Sequence, residues 1–253
     1  MKYYEKLLDL GSFNKADVAK VVGSADIARN ILLAYSKKGY IEKIRRDYYV
    51  AISLETHQPV ANRYQLASNV YEGAYLTHHS AFEAYGYANQ TFYSVYFACE
   101  KRVKDFDYDG VCYIQTTRNP KADVAHEGNI RLTGIEQTVV DSIKDCEKIA
   151  GLEEVLRCIE LIPGLDEERL LKCLEGYDNS YLYQKCGYIF ENLGVSLGIT
   201  DMFLNECQKH IGKRKNYLLR NRRDLVIDKK WMLYVPPRLK SLVEKGAFGY
   251  DEI

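Results

Sequence analysis

The sequence predicts an α+β protein, with an N-terminal winged helix-turn-helix domain over residues 1–55 and a larger mixed α/β, mostly helical C-terminal domain over 56–253. Three observations predict it. Two short apolar helical patterns are separated by Gly23-Ser24. Two runs rich in β-branched and aromatic residues follow directly and flank Arg45-Arg46-Asp47. Four consecutive helical patterns then fill the stretch from Leu152 to Ile211.

Residues 2–11 read as a first helix, with Leu7, Leu8 and Leu10 packing under the helix pair and Gly11 ending it. Asn14 caps the second helix, whose Ala16, Val18, Ala19, Val21 and Val22 are small enough for a close helix crossing. Ser24 caps the third, because its hydroxyl can accept from a backbone N–H two or three residues on, and Gly39 supplies the left-handed stop. Within it Ile27, Ala28, Ile31, Leu32 and Tyr35 make one apolar stripe, while Asp26, Arg29, Asn30, Ser36 and Lys37 lie off it. One face packs and the other can read. Tyr40–Ile44 and Tyr48–Ile52 then form a hairpin, the wing, with two arginines at its tip.

The pattern lapses from Ser53 to Ala61, with Pro59 near its end, which sets the domain boundary. A helix over 62–72, an extended 74–77 and a helix over 78–86 follow, then strands over 91–99, 110–117 and 128–133, giving a small sheet within 74–133. Helices fill 134–211, with Asp166 and Thr200 as caps, and a basic, β-containing tail occupies 212–253.

Of the 253 residues, 47% are apolar and 28% charged, which fits a folded globular chain, and no segment approaches a membrane span. The start, Met1-Lys-Tyr-Tyr-Glu-Lys6, lacks the apolar core of a signal peptide, so a cytoplasmic location is expected. The seven cysteines stand twelve or more residues apart without a C-x-x-C pair, which points to buried, reduced thiols and away from zinc or redox motifs. Net charge is zero, yet residues 1–52 hold ten Lys and Arg against six Asp and Glu. Residues 209–240 hold eleven against two, and 53–208 hold thirteen against twenty-four. Basic ends on an acidic middle permit a footprint on nucleic acid and disfavour indiscriminate coating of it.

Three features invite a catalytic or metal reading. Asp105-Phe-Asp107-Tyr-Asp109-Gly110 matches the first half of a calcium loop, but its twelfth position is Thr116 and strand-like residues follow Gly110, so a hairpin turn is expected. His78-His79 precede a helix, and the other histidines, His57, His126 and His210, stand in no metal-ligand spacing. They are expected to cap or hydrogen-bond. Asp141 lies close to the apolar face of its helix, where hydrogen bonds to backbone or to Arg131 are the simpler account. No catalytic residue, metal or cofactor is therefore expected.

The winged segment Phe13–Ile52, then Tyr75-Leu-Thr-His-His-Ser-Ala-Phe-Glu-Ala-Tyr-Gly86, then Ile130-Arg-Leu-Thr-Gly-Ile-Glu-Gln-Thr-Val-Val-Asp141, occur in that order. With these the chain resembles the AbiEi-type antitoxins, transcriptional repressors of bacterial type IV toxin–antitoxin systems, and its helical remainder fits their C-terminal region in length and character. The resemblance implies an N-terminal domain that binds double-stranded DNA and represses its own operon. It also implies a C-terminal domain that opposes a nucleotidyltransferase toxin without a stable complex.

On DNA, Arg29 can fork onto a guanine and Asn30 onto an adenine in the major groove, while Ser24 and Lys37 contact phosphates. Arg45 and Arg46 reach the flanking backbone or minor groove, and Asp26 and Tyr48 complete the expected surface. One such domain covers few base pairs, so an operator with inverted repeats and a homodimer or cooperative assembly are expected. Lys213, Arg214, Lys215, Arg220, Arg222 and Arg223 form a second nucleic-acid contact or else snorkel over the acidic middle. Two competing classes are a metal-dependent nuclease using Asp105, Asp107, Asp109 or Asp141 with the basic tail, and a protein-interaction module, which predicts no salt-dependent DNA binding.

Overall fold

The computed structural model describes residues 2–220, 224–237 and 239, and they form a mixed α+β protein. The chain opens with α1 (Tyr4–Leu10), the two-residue strand β1 (Ser12–Phe13), α2 (Lys15–Val22), α3 (Ala25–Lys37) and the hairpin β2 (Ile41–Arg45) and β3 (Tyr48–Ala51). The helix starts follow from local chemistry. Asn14 accepts from the N–H groups of Ala16 and Asp17 while Asp17 accepts from the Asn14 N–H, a reciprocal cap, and Ser24 Oγ accepts from Ile27 N–H. Strand β1 has no signal in the sequence. It pairs antiparallel with β3, which makes β3 the centre of a three-stranded sheet of order β1-β3-β2.

Leu7, Phe13, Val18, Ala28, Leu32 and Ile41 close the core under this sheet. Two expectations change. Ile27 is 45% exposed, so the buried stripe of α3 runs through Ala28 and Leu32 with Ile31 and Tyr35 at its margins. A bulge shifts the β2–β3 register between Lys43 and Arg45, so the hairpin end is aimed differently from its base.

Two compact units divide the chain. The first takes in residues up to Leu76, Phe92–Arg118 and Val124–Leu132, so the boundary expected near residue 55 falls inside it. Besides the elements above it holds α4 (Arg63–Asn69) and a six-stranded sheet. The strands are β4 (Tyr75–Leu76), β5 (Ser94–Ala98), β6 (Phe106–Tyr108), β7 (Val111–Gln115), β8 (Val124–Glu127) and β9 (Ile130–Thr133), in the order β6-β7-β5-β4-β9-β8. Hydroxyl groups join the small sheet to the rest: Tyr48 donates to Leu66 O at 2.7 Å and Tyr108 to Glu42 Oε2 at 3.0 Å. The acidic Asp105–Gly110 stretch is a hairpin, as expected. Asp109 (φ 49°) and Gly110 (φ 72°) make its two-residue turn, and Asp105 Oδ1 accepts from Gln115 N–H.

The second unit comprises Thr77–Thr91, Asn119–Asp123 and the described residues from Thr133 onward. It contains α5 (His79–Tyr85), α6 (Ile135–Asp145), α7 (Leu152–Glu160), α8 (Glu167–Tyr177), α9 (Ser180–Leu193) and α10 (Asp201–His210). A small sheet of β10 (Asn216–Tyr217), β11 (Val226–Asp228) and β12 (Leu233–Val235), ordered β10-β12-β11, follows. Phe82, Val140, Ile143, Ile189, Phe190 and Trp231 belong to one large apolar core. Trp231 is fully buried and its Nε1–H donates to Glu191 Oε2 at 2.6 Å. Six of the seven thiols are buried, all seven are unpaired, and burial first of all pushes Cys173 and Cys207 up to about 12. No described helix is long and apolar enough to cross a membrane.

Candidate nucleic-acid interface and a buried polar cluster

Ala28 and Leu32 hold α3 down by one side, which leaves Asp26, Arg29, Asn30 and Lys37 exposed along the other. Those four are the polar residues expected to read or position. Asp26 sits in the first turn, where the helix dipole favours a carboxylate, and Lys37 in the last, where it favours a cation. Ser24 is half-buried and caps α3 by accepting from Ile27 N–H, which leaves its own O–H to donate to a phosphate. Leu33, 65% exposed, and Ile27 add apolar surface beside the polar row.

The hairpin corrects two expected contacts. Tyr48 is 2% exposed with its hydroxyl on Leu66 O, and burial above all pushes the pKa of its phenol well above the ordinary value. It is a core residue and offers nothing to a ligand. Arg45 is half-buried, its guanidinium lying 5.1 Å from the centroid of the Phe106 ring, a cation–π contact inside the first unit. Arg46 is exposed at the tip. Asp47 beside it adopts a left-handed φ of 55° and accepts from Lys15 N–H at 3.1 Å, tying the tip to the first turn of α2. Lys43, exposed on β2, joins Arg46 on the hairpin, and its position outside the tip gives it no signal in the sequence.

In the second unit the basic tail lines a cleft. Lys213, Arg214 and Arg220 border a cavity of about 450 Å³ with Tyr181 and Gln184, and Lys215 is exposed nearby in sequence. Arg222 and Arg223 lie outside the described residues. Side chains of α9 hold the backbone here: Gln184 donates to Arg214 O at 2.9 Å and accepts from Asn216 Nδ2 at 2.7 Å. Arg220 also borders a neighbouring cavity of about 310 Å³ with Lys144, Lys148 and Lys185. Lys185 is 3% exposed, its ammonium 4.8 Å from the centroid of the Tyr181 ring.

The two remaining sequence motifs meet in the same unit as a buried polar cluster. Asp141, 4% exposed, accepts from Thr77 Oγ1 (3.1 Å), Gln137 Nε2 (2.5 Å) and Tyr177 OH (2.6 Å). Arg131 instead donates to Ser68 O, so the expected pairing of Asp141 with Arg131 or backbone is replaced by three side-chain donors. Burial and then Asp141 push the Tyr177 phenol far above its ordinary value. His78 makes no capping bond. Its Nδ1 is 3.1 Å from Thr77 Oγ1 and its Nε2 3.5 Å from Asp145 Oδ2.

His79 is held from both sides, Nδ1 at 2.8 Å from Glu83 Oε1 and Nε2 at 3.1 Å from Glu154 Oε1. Burial lowers its basicity, and the Glu154 and Glu83 carboxylates outweigh that and raise it. Both histidines thus hydrogen-bond, as expected, and His79 does so through both ring nitrogens. Glu154 and Cys158 carry no signal in the sequence because they lie some 75 residues from His79, and only the fold brings them together.

No family model and no curated protein matches the chain. Among solved structures it is similar to the crystal structure of RV2827C protein from Mycobacterium tuberculosis, at 14% identity and a TM-score of 0.58, covering 88% of this chain and 85% of that one. That likeness is one of fold.

Proposed function

We propose that this chain is a sequence-specific, double-stranded-DNA-binding regulator whose first 52 residues act as a winged helix-turn-helix, with α3 as the reading helix. The observation that carries the reading is the division of α3: Ala28 and Leu32 are buried, and Arg29 and Asn30 stand exposed on a helix capped at its start. Arg29 forks onto a guanine edge and Asn30 onto an adenine edge, the pairings those side-chain shapes favour. Lys37, Lys43 and Arg46 supply phosphate contacts that fix orientation without reading sequence. Tyr48 drops out of the contact set because it is buried, and Arg45 because its guanidinium is turned onto Phe106, while the Ser24 hydroxyl adds a further phosphate donor.

The order of three helices and a hairpin, joined by β1, supports a winged arrangement. The exposed basic residues in 1–52 give it the charge to hold phosphate. Resemblance extends the proposal to the autorepressing antitoxin of a type IV system, acting in the cytoplasm against a nucleotidyltransferase toxin without a stable complex. Binding rather than catalysis is proposed. Asp141 is committed to three donors, and Asp105 to a backbone N–H within a hairpin. The operator is proposed to carry inverted repeats read by two copies of the chain. A mobility shift with the DNA upstream of its own reading frame tests the reading: binding should weaken steeply with salt and lose base preference in Arg29→Ala. Salt-independent or absent binding would reject it.

A further inference from the structure

In the core of the second unit, residues from two helices converge on one point. His79 opens α5, and Glu154 and Cys158 stand one turn apart on α7, so both project from the same side of it. Glu154 Oε1 is 3.1 Å from His79 Nε2 and 3.7 Å from Cys158 Sγ, and the three ligand atoms all lie within 4.8 Å of one another. All three residues are buried, Cys158 completely.

We propose that His79 Nε2, a Glu154 carboxylate oxygen and Cys158 Sγ form a zinc-binding site that ties α5 to α7. Tetrahedral zinc, with bonds of about 2.0–2.1 Å to nitrogen and oxygen and about 2.3 Å to sulfur, separates its ligand atoms by roughly 3.3–3.6 Å. The spacings of 3.1 and 3.7 Å bracket that range. One imidazole nitrogen, one carboxylate and one thiolate select zinc over calcium or magnesium, which take oxygen donors.

The surroundings are those a metal site uses. His79 Nδ1 is 2.8 Å from Glu83 Oε1, so a carboxylate fixes the tautomer that leaves Nε2 for the ion. Gln90 Nε2 donates to Glu154 Oε2 at 2.8 Å, which holds that carboxylate by its other oxygen and leaves Oε1 toward Cys158. Binding displaces the Cys158 thiol proton, and any proton on His79 Nε2, to solvent, and water takes the fourth position. His78, immediately before the ligand, has φ 54° and ψ −138°, a conformation costly for a residue with a side chain and kept where the surroundings dictate it.

The test uses the full chain purified without chelator. Elemental analysis should find one zinc per chain. Stripping with chelator and reloading with cobalt should give the absorption of a tetrahedral ion with a thiolate charge-transfer band. Cys158→Ser should abolish that band and Glu154→Gln should weaken retention at least tenfold, whereas Cys99→Ser should change neither. Zinc should raise the unfolding temperature of the wild type and leave that of Cys158→Ser in place. Substoichiometric metal in the wild type together with a cobalt spectrum lacking the thiolate band overturns the proposal, whether or not the variants fold. Equal loading of folded wild type and Cys158→Ser does the same.

Discussion

Asp47 Oδ1 accepts a hydrogen bond from the backbone N–H of Lys15 at 3.1 Å, so the tip of the β2–β3 hairpin is tied to the first turn of α2. The bond fixes the exposed Arg46 relative to the helix pair through an N–H that a helix start otherwise leaves without an intrahelical partner. Asp47→Gly keeps the left-handed φ of 55° and removes the tie. It should cost about 0.5–1.5 kcal/mol of stability and weaken DNA binding evenly across sequences. Chemical denaturation and mobility shifts on operator and scrambled DNA check both halves; a selective loss on the operator alone would contradict the positioning role.

Tyr48 and Arg29 should behave as opposites. Tyr48→Phe deletes the hydroxyl that donates to Leu66 O inside the first unit, and should cost about 1–2 kcal/mol while leaving the footprint in place. Arg29→Ala should leave the unfolding free energy within about 0.5 kcal/mol of wild type, because its side chain is exposed. Denaturation and footprinting of the two variants side by side separate packing from recognition.

Gly187 lies against the indole of Trp231, and a Cβ there would overlap the ring. Trp231 is fully buried and anchored to Glu191, so it has little room to retreat. Gly187→Ala should therefore destabilise the protein by about 1–3 kcal/mol, despite the better helix propensity of alanine. Thermal unfolding with tryptophan fluorescence reads it directly; an unchanged or raised midpoint would show that the ring yields.

Asp145 gives a pH prediction. Burial pushes its carboxyl up, but His78, Lys144 and Lys148 outweigh that and hold it well below the ordinary carboxylate range. A carboxyl with a depressed folded-state value contributes stability that is complete above its unfolded value of 3.8 and is lost as the pH falls below that toward the folded value. Asp145→Asn should thus be less stable than wild type by about 1–3 kcal/mol near neutrality, and the gap should narrow below about pH 4. Urea titrations of both proteins across that range check it; a gap independent of pH would assign the effect to packing.

Local chemistry made much of the fold legible. Asn14, Ser24 and Asp166 cap the helices they were expected to cap, and Asp109-Gly110 is a hairpin turn rather than a calcium loop. Thr200 is the exception among caps, since its hydroxyl donates to Glu167 instead. What stayed hidden depends on partners distant in sequence. Tyr48 and Tyr49 are equally aromatic neighbours on opposite faces of β3, and only the packing against Leu66 decides that Tyr48 turns inward. Arg45 reads as a tip cation until the bulge and Phe106 are known. Strand β1 is too short to carry a pattern, and the meeting of His79 with Glu154 and Cys158 is a tertiary event.

The central claim is that the exposed face of α3 reads DNA. It is tested most directly by footprinting the full chain on the DNA upstream of its own reading frame at two salt concentrations, beside Arg29→Ala. The account predicts paired, inverted protections that weaken steeply with salt, and in Arg29→Ala a loss of about 1–3 kcal/mol with relaxed preference at one base pair of each half-site. An Arg29→Ala footprint identical to wild type, or no protection at either salt, would contradict it.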